Sequence, residues 1–205
     1  SGTWNNGAAG RYNLTAKATD NQGGVTTSAI VPIFIDKIPT ISWSAPANGA
    51  TFQSTVPTIA LTATASDTDG TIAKVEFYNG STLIGTVTAA PYTLNWPNPG
   101  PGSYSLTAKA TDNHGGTKTT GIRTVNVNTA PSVSLTSPTP GQNFPTGSTI
   151  TLTATASDSD GTISKVQFYR GTTLIASDTT APYSATWTNA AAGSYNLTAK
   201  ATDNK

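Results

Sequence analysis

The sequence predicts an all-β chain of tandem β-sandwiches without disulfides, and three observations support this. Many segments alternate apolar with hydroxylated residues, Gly and Pro separate these segments, and the whole pattern recurs along the chain. Alternation with a period of two favours strands that bury one face, and β-branched Thr favours extended backbone. The 205 residues include no cysteine, so each core must be held together by packing alone.

The recurring pattern has a period near ninety residues. Trp4, Trp96 and Trp187 begin equivalent segments at spacings of 92 and 91 residues, and a tyrosine follows each of them eight residues later. A unit of this length is large enough to build its own core. We expect three segments: strands F and G of a first repeat at 1–36, a complete repeat at 37–128, and a third repeat at 129–205 that lacks its last strand.

Turn residues divide the complete repeat into seven strands, which is typical of a β-sandwich. Pro46 to Gly49 closes the first turn, an Asp-Thr-Asp-Gly corner ends at Gly70, and Asn79-Gly80 has the composition of a two-residue hairpin. The predicted strands, lettered A to G in chain order, are 40–44, 58–66, 72–78, 81–88, a short strand ending at Trp96, 103–111 and 117–127.

The predicted boundaries leave incomplete repeats at both ends, and two explanations remain open. The sequence is either a window cut from a longer array, or a strand from one chain completes the neighbouring chain by strand addition.

Acidic side chains are expected to gather at one pole of each sandwich. In this topology the loop between strands B and C, the loop between strands F and G, and the incoming linker lie at the same end. Oxygen ligands in this number suit Ca²⁺, so Ca²⁺ is predicted at the inter-domain junctions. The same loops also match ordinary turn chemistry, in which Asp caps backbone amides, and both interpretations stay open. The candidate metal ligands are Asp36, Asp67, Asp69, Asp112 and Asn113 at one junction, and Asn128, Asp158, Asp160 and Asp203, with Asn204 beside them, at the next.

Little in the sequence favours catalysis or nucleic-acid binding. The single histidine, His114, lies in a Gly-rich turn where the first repeat has Gln22, and Glu76 is matched by Gln167. We interpret His114 as a surface loop residue and expect no enzymatic activity. The net charge is +1 and charged residues make up 10%, which gives no electrostatic reason to expect nucleic acid. Apolar runs fall short of the roughly 20 residues that span a bilayer, so membrane insertion is not expected.

Two stretches carry a resemblance to a known family. GSYSLTAKATDNHGG at 102–116 and ATASDTDGTIAKVEFYNGSTLIG at 63–85 resemble the bacterial immunoglobulin-like (Big-type) tandem repeat family of secreted and cell-surface proteins. The resemblance implies tandem seven-stranded immunoglobulin-like β-sandwiches, and Tyr104 fits the tyrosine corner of such folds. Members of the family are strung together in adhesins and serve as spacers in polysaccharide-degrading enzymes. In outline the acidic junctions also resemble cadherin-type chains, which use Ca²⁺ to stiffen the array.

The sequence therefore predicts a structural, extracellular or bacterial cell-surface segment, forming the semi-rigid stalk of an adhesin or the body of a surface filament. Expected partners are neighbouring repeats of the same or identical chains, joined head to tail, with surface glycans and host or cell receptors as further candidates. The alternative is a spacer or accessory carbohydrate-binding module of a secreted polysaccharide-degrading enzyme. A carbohydrate platform needs several coplanar exposed rings, whereas the sequence favours core or junction packing for Trp96 and Trp187.

Overall fold

The computed structural model describes residues 2–5 and 7–205, so Ser1 and Asn6 of the predicted first segment lie outside the described residues. All regular structure in the described ranges is strand, which confirms the all-β prediction. Within those ranges there is accordingly no helix of the length and apolarity needed to cross a membrane. The chain forms two compact units, one of 1–48, 59–96 and 104–124 and the other of 49–58, 97–103 and 125–205. The boundaries of the three repeat segments stay a prediction.

The strands are short and follow one another along the chain with brief turns. In chain order they are β1 (Gly10–Leu14), β2 (Lys17–Thr19), β3 (Val25–Thr27), β4 (Val31–Ile35), β5 (Thr40–Ala45), β6 (Ala50–Gln53), β7 (Thr58–Ser66), β8 (Ile72–Asn79), β9 (Thr82–Val87), β10 (Tyr92–Pro97), β11 (Gly102–Asp112), β12 (Thr117–Thr119), β13 (Arg123–Asn128), β14 (Ser132–Ser137), β15 (Ile150–Ser157), β16 (Ile163–Arg170), β17 (Thr173–Asp178), β18 (Tyr183–Trp187) and β19 (Leu197–Asp203).

In the first unit, sheets form from antiparallel neighbours. β1 pairs with β4, β2 pairs with β3, and β7 lies between β10 and β5. β8 lies between β11 and β9, and β12 pairs with the end of β11. The alternating residues of β7 and β8 form the buried face as predicted, with Leu61, Val75 and Phe77 fully buried. The next residues of the same strands carry the hydroxyl and charged groups outward because successive side chains of a strand point to opposite faces.

The second unit contains a β-sandwich with one continuous core. One sheet has the order β14-β15-β18 and the other has the order β17-β16-β19. Leu152 and Trp187 from the first sheet pack in one cluster with Val166 and Phe168 from the second. In the same unit β6 pairs in parallel with β13, with Ala50 opposite Val125. The described residues contain no disulfide, so apolar packing and the strand hydrogen bonds hold the sandwich.

The structure divides each of the two strands predicted in the first segment into two, β1 with β2 and β3 with β4. It also differs from the predicted strands of the complete repeat in two places. The predicted last strand, 117–127, is interrupted, because β12 ends at Thr119 and β13 begins only at Arg123. The segment between them contains Gly121, which supplies no side chain to pack and weakens a strand. β6 was not predicted at all, because its four residues carry too short a pattern and its partner lies more than seventy positions away.

Removing a ring from the second core should destabilise the fold strongly. We expect Phe168→Ala to lower the free energy of unfolding by roughly 3–5 kcal/mol, since Phe168 is 0% exposed and the cavity cannot fill by local collapse. Leu174→Ala, at a position 47% exposed, should change it by less than about 0.5 kcal/mol. Chemical denaturation of both variants provides the measurement, and equal losses would contradict this account of the core.

A single aspartate fixes the loop between β17 and β18. Asp178 accepts hydrogen bonds from Thr180 N at 3.0 Å and Ser184 N at 2.9 Å, and these bonds lower the pKa of Asp178. A lowered pKa stabilises the fold above the ordinary value of 3.8 and loses that contribution as the pH falls through the folded-state pKa. Asp178→Ala should therefore lower the melting temperature at neutral pH, by an amount that shrinks below pH 3.8. If Asp178→Ala lowered the melting temperature equally at neutral pH and below pH 3.8, the charge of Asp178 would not be the source of the loss.

Candidate cation sites at two acidic clusters

The first unit brings four predicted ligands together. Asp36 follows β4, Asp67 and Asp69 follow β7, and Asp112 ends β11. One oxygen from each of Asp36, Asp67 and Asp69 lies within 4.8 Å of the other two, and atoms of Asp36, Asp112 and His114 meet at the same separation. We call Asp36, Asp67, Asp69, Asp112 and His114 the first cluster. The loops and the linker therefore meet in the first unit as the sequence predicts, although binding of a metal stays a prediction.

In the first cluster, Asp112 and Asp67 each use one carboxylate oxygen to accept backbone hydrogen bonds within a turn. Asp112 Oδ1 accepts hydrogen bonds from His114 N at 2.8 Å and Gly116 N at 2.9 Å. Asp67 Oδ1 accepts a longer hydrogen bond from Asp69 N at 3.4 Å. Both turns are thus closed by a carboxylate in the way that the alternative interpretation expects. That function uses a single oxygen of each side chain.

The second oxygen of these aspartates is buried and has no hydrogen-bond partner among the described residues. This holds for Asp112 Oδ2, on a residue only 2% exposed, and for Asp67 Oδ2. Asp36 Oδ1 is also without a hydrogen bond, since His114 Nδ1 approaches it to 3.1 Å but without hydrogen-bond geometry. A buried carboxylate oxygen without a partner is strongly unfavourable, and a bound cation would satisfy it. Turn chemistry alone does not account for these atoms.

Two glycines allow the carboxylates to approach the backbone. A Cβ at Gly116 would collide with Asp112 Oδ2 and would lie 2.7 Å from Asp36 Oδ2. A Cβ at Gly70 would collide with Asn113 Oδ1 and would lie 2.5 Å from Asp67 Oδ2. Glycine is therefore required at both positions by the space that the carboxylates occupy.

Electrostatic repulsion is evident in the first cluster. Burial and the charge of Asp112 together raise the pKa of Asp36, and His114 opposes them only in part. Carboxylates that repel each other in this way favour a nearby cation.

The second unit contains an equivalent cluster at positions 91 or 92 residues later in the chain. We call Asn128, Asp158, Asp160, Asp203 and Lys205 the second cluster. Asp160 N donates to Asp158 Oδ1 at 3.3 Å, and Asp158 Oδ2 is buried without a partner among the described residues. Asn128 is 2% exposed, and its Oδ1 is likewise unpaired.

Both linkers are attached to the acidic loop by the same hydrogen bond. Lys37 N donates to Asp69 Oδ2 at 3.2 Å in the first unit, and Thr129 N donates to Asp160 Oδ1 at 3.1 Å in the second. The neighbouring asparagines also have a structural function. Thr71 N donates to Asn113 Oδ1 at 2.7 Å. Thr162 N donates to Asn204 in the same way at 3.0 Å.

The His114 side chain lies beside the acidic residues of the first cluster, which the sequence did not predict. The sequence indicated a surface loop residue, and its side chain is indeed partly exposed, yet the ring lies against Asp36 and 4.4 Å from the Phe34 ring. One feature of the sequence could have indicated this position: His114 follows Asp112 by two residues within one turn. Sequence alone could not indicate which way the imidazole would point.

The aromatic residues form packed pairs. The rings of Trp96 and Tyr104 lie 4.8 Å apart at an interplanar angle of 82°, and those of Trp187 and Tyr195 lie 4.8 Å apart at 88°. Perpendicular rings do not form a flat platform for sugar stacking. Tyr195 also donates from its hydroxyl to Ala191 O at 3.2 Å, which is the contact of a tyrosine corner.

The architecture is that of an immunoglobulin-like β-sandwich chain without disulfides. Residues 39–108 and 131–199 each match the family described as bacterial Ig domain, and the chain belongs to that family. The resemblance seen in the sequence is thereby confirmed.

Several known proteins are similar to parts of the chain. Chitinase ChiA of Flavobacterium johnsoniae is 36% identical over 84 residues, which are 40% of this chain and 5% of the chitinase. The fibronectin(III)-like modules of Clostridium thermocellum CbhA are 35% identical, with coverage of 80% of this chain and 86% of theirs and a TM-score of 0.49. Extracellular domains 3–5 of Drosophila OTK are 16% identical over 95% of this chain and 70% of theirs, with a TM-score of 0.48. The chain thus spans a small fraction of the curated chitinase.

Filling the space beside the carboxylates should destabilise the first unit. We expect Gly116→Ala to lower the free energy of unfolding by roughly 1–3 kcal/mol, because the new methyl group displaces the buried Oδ2 of Asp112 and the neighbouring Oδ2 of Asp36. Gly121→Ala is the matched control, since a Cβ there meets nothing within 4 Å. Denaturant unfolding of the two variants tests this, and a neutral Gly116→Ala would mean that the carboxylates move aside freely.

Proposed function

We propose that this chain is a structural segment of a secreted or bacterial cell-surface protein, in which Ca²⁺ bound at the two clusters stiffens an array of immunoglobulin-like domains. The observation that carries the proposal is the set of buried carboxylate and carboxamide oxygens without hydrogen-bond partners, two of which, at 67 and 158, recur at equivalent positions. Unpaired oxygens at the same places in two repeats indicate a shared ligand that the protein chain does not itself supply.

The donor set favours Ca²⁺ among common cations. Ca²⁺ takes six to eight oxygens from carboxylates, amides, carbonyls and water at about 2.3–2.6 Å. In the first cluster Asp36 forms one group of close ligand atoms with Asp67 and Asp69 and another with Asp112 and His114. The second cluster contributes the buried oxygens of Asp158 and Asn128, which have no hydrogen-bond partner among the described residues. Such a site has open positions for water, so a complete protein cage is not required.

Stiffening follows from which segments the cation would connect. Asp36 follows β4 and Asn128 is the last residue of β13, and a proline, Pro39 or Pro131, follows each of them three residues later. Proline restricts its own φ and the residue before it. A cation shared by a linker residue and the loop aspartates would add further restraints beside the amide hydrogen bonds of Lys37 and Thr129. The array would act as the stalk of an adhesin or the body of a filament, where chains join head to tail.

A second candidate function is that of a spacer or accessory module in a secreted polysaccharide-degrading enzyme. The similarity to Chitinase ChiA favours it. The perpendicular aromatic pairs favour a spacer over a carbohydrate-binding surface. Sedimentation with insoluble chitin and cellulose distinguishes these functions: retention of the chain supports an accessory binding module, and its absence supports a spacer or stalk.

Adding Ca²⁺ should raise the melting temperature of the chain, and a chelator should reverse the change, because a ligand of the folded state stabilises it. Asp67→Asn should reduce this increase, since it removes a charged oxygen from the first cluster. Asp20→Asn is the matched control: Asp20 Oδ1 closes the same kind of turn through Gln22 N and Gly24 N, outside both clusters. Scanning calorimetry with and without chelator provides the measurement.

Absence of any Ca²⁺ effect on the melting temperature would refute the proposed cation and leave the linker prolines as the source of stiffness. A Ca²⁺ effect that Asp20→Asn diminishes as much as Asp67→Asn would place the ion elsewhere. Small-angle scattering with and without Ca²⁺ tests the mechanical part, since a stiffened array gives a narrower distribution of maximum dimensions.

A further inference from the structure

The two clusters differ at two matched positions, although their backbone hydrogen bonds agree. The linker residue is Asp36 in the first cluster and Asn128 in the second. The residue two places after the final aspartate is His114 in the first and Lys205 in the second. Each difference makes the second cluster less negative.

In the second cluster the protein itself satisfies one carboxylate oxygen whose counterpart in the first cluster has no hydrogen-bond partner among the described residues. Asn128 Nδ2 donates to Asp203 Oδ2 at 2.9 Å, whereas the matching Asp112 Oδ2 is buried without a hydrogen bond. The carboxamide of Asn128 thus stands where the first cluster has the carboxylate of Asp36. It also donates a hydrogen bond to the Asp203 oxygen that would otherwise be free to bind a cation.

Lys205 brings a positive charge to the second cluster. Its Nζ lies 3.2 Å from Asp160 Oδ2 and also donates to the carbonyl oxygen of Asp160. Burial alone would raise the pKa of Asp160, but the hydrogen bonds from Lys205 and Thr129 hold this pKa below its ordinary value. In the first cluster the pKa of Asp36 is raised, which is the opposite electrostatic environment.

We infer that the two clusters bind Ca²⁺ in sequence, the first at a lower concentration than the second, because the second has the neutral Asn128 in place of a fourth carboxylate and an ammonium group, that of Lys205, which already pairs with Asp160. The inference rests on the proposed function. Affinity of a Ca²⁺ site depends on its number of charged ligands and on its rigidity. The second cluster has one carboxylate fewer and one competing ammonium more than the first. The Ca²⁺ concentrations at which the two clusters are half occupied should therefore differ by at least about tenfold. The chain would then stiffen at one junction before the other as Ca²⁺ rises.

Titration of the whole 205-residue chain with CaCl₂, followed by amide NMR, tests the order of binding. Gly116 lies against the first cluster and Gly161 lies against Asp158 of the second, so their amide resonances report the clusters separately. We expect Gly116 to reach its midpoint at a Ca²⁺ concentration at least about tenfold below that of Gly161. Fixed ionic strength separates site binding from general screening.

Two sets of substitutions assign the difference to the named residues. Asp36→Asn should raise the Gly116 midpoint about tenfold and leave that of Gly161 unchanged. Asn128→Asp combined with Lys205→Gln should lower the Gly161 midpoint and leave that of Gly116 unchanged. Lys118→Gln, on the exposed strand β12, is the control for removal of one positive charge, and it should move neither midpoint.

The outcomes separate this inference from the proposal on which it rests. Equal midpoints, or a lower midpoint at Gly161, would overturn the sequential order while Ca²⁺ binding itself stands. A separation that the double substitution leaves unchanged would overturn the assignment to Asn128 and Lys205. No response at either glycine would refute Ca²⁺ binding and the sequential order together.

Discussion

The arrangement of both clusters depends on one constraint, which is that an aspartate closing a turn has a second oxygen to satisfy. At Asp112 the first oxygen holds two backbone amides, and the turn geometry then directs the other oxygen inward, where water does not reach it. In Asp67 and Asp158, likewise, Oδ1 accepts a backbone hydrogen bond while Oδ2 is buried without a partner among the described residues. A buried oxygen of this kind needs a hydrogen-bond donor or a cation, and in the second cluster Asn128 supplies such a donor to Asp203.

The β-sandwich positions these loops without a disulfide. Strands such as β7 and β8 alternate buried apolar side chains with outward hydroxyl or charged groups, and the buried side chains fix where each strand ends. Asp67 follows β7 immediately and Asp112 is the last residue of β11, so packing of the core determines the separation of their carboxylates. Rigid placement of like charges is possible only because Gly70 and Gly116 leave room for them.

Repetition of a domain does not imply repetition of its junction chemistry. The two stretches that match the bacterial Ig domain family share the core pattern and the loop aspartates. Just before each stretch, at a position outside the family match, the first has Asp36 and the second has Asn128. The shared sandwich is therefore compatible with different charged residues at the two clusters, at positions 36 and 128 and at positions 114 and 205.

From the sequence alone it was possible to derive the all-β class, the ninety-residue period, most strand positions and the gathering of Asp36, Asp67, Asp69 and Asp112 at one end. Each of these depends on local alternation or on topology that strand order dictates. Tertiary structure alone decided the parallel pairing of β6 with β13, the contact of His114 with Asp36, and the hydrogen bond from Asn128 to Asp203. Each of these features joins residues that are distant in the chain. Packing around each residue sets the direction of its side chain, and a local sequence pattern does not record that direction.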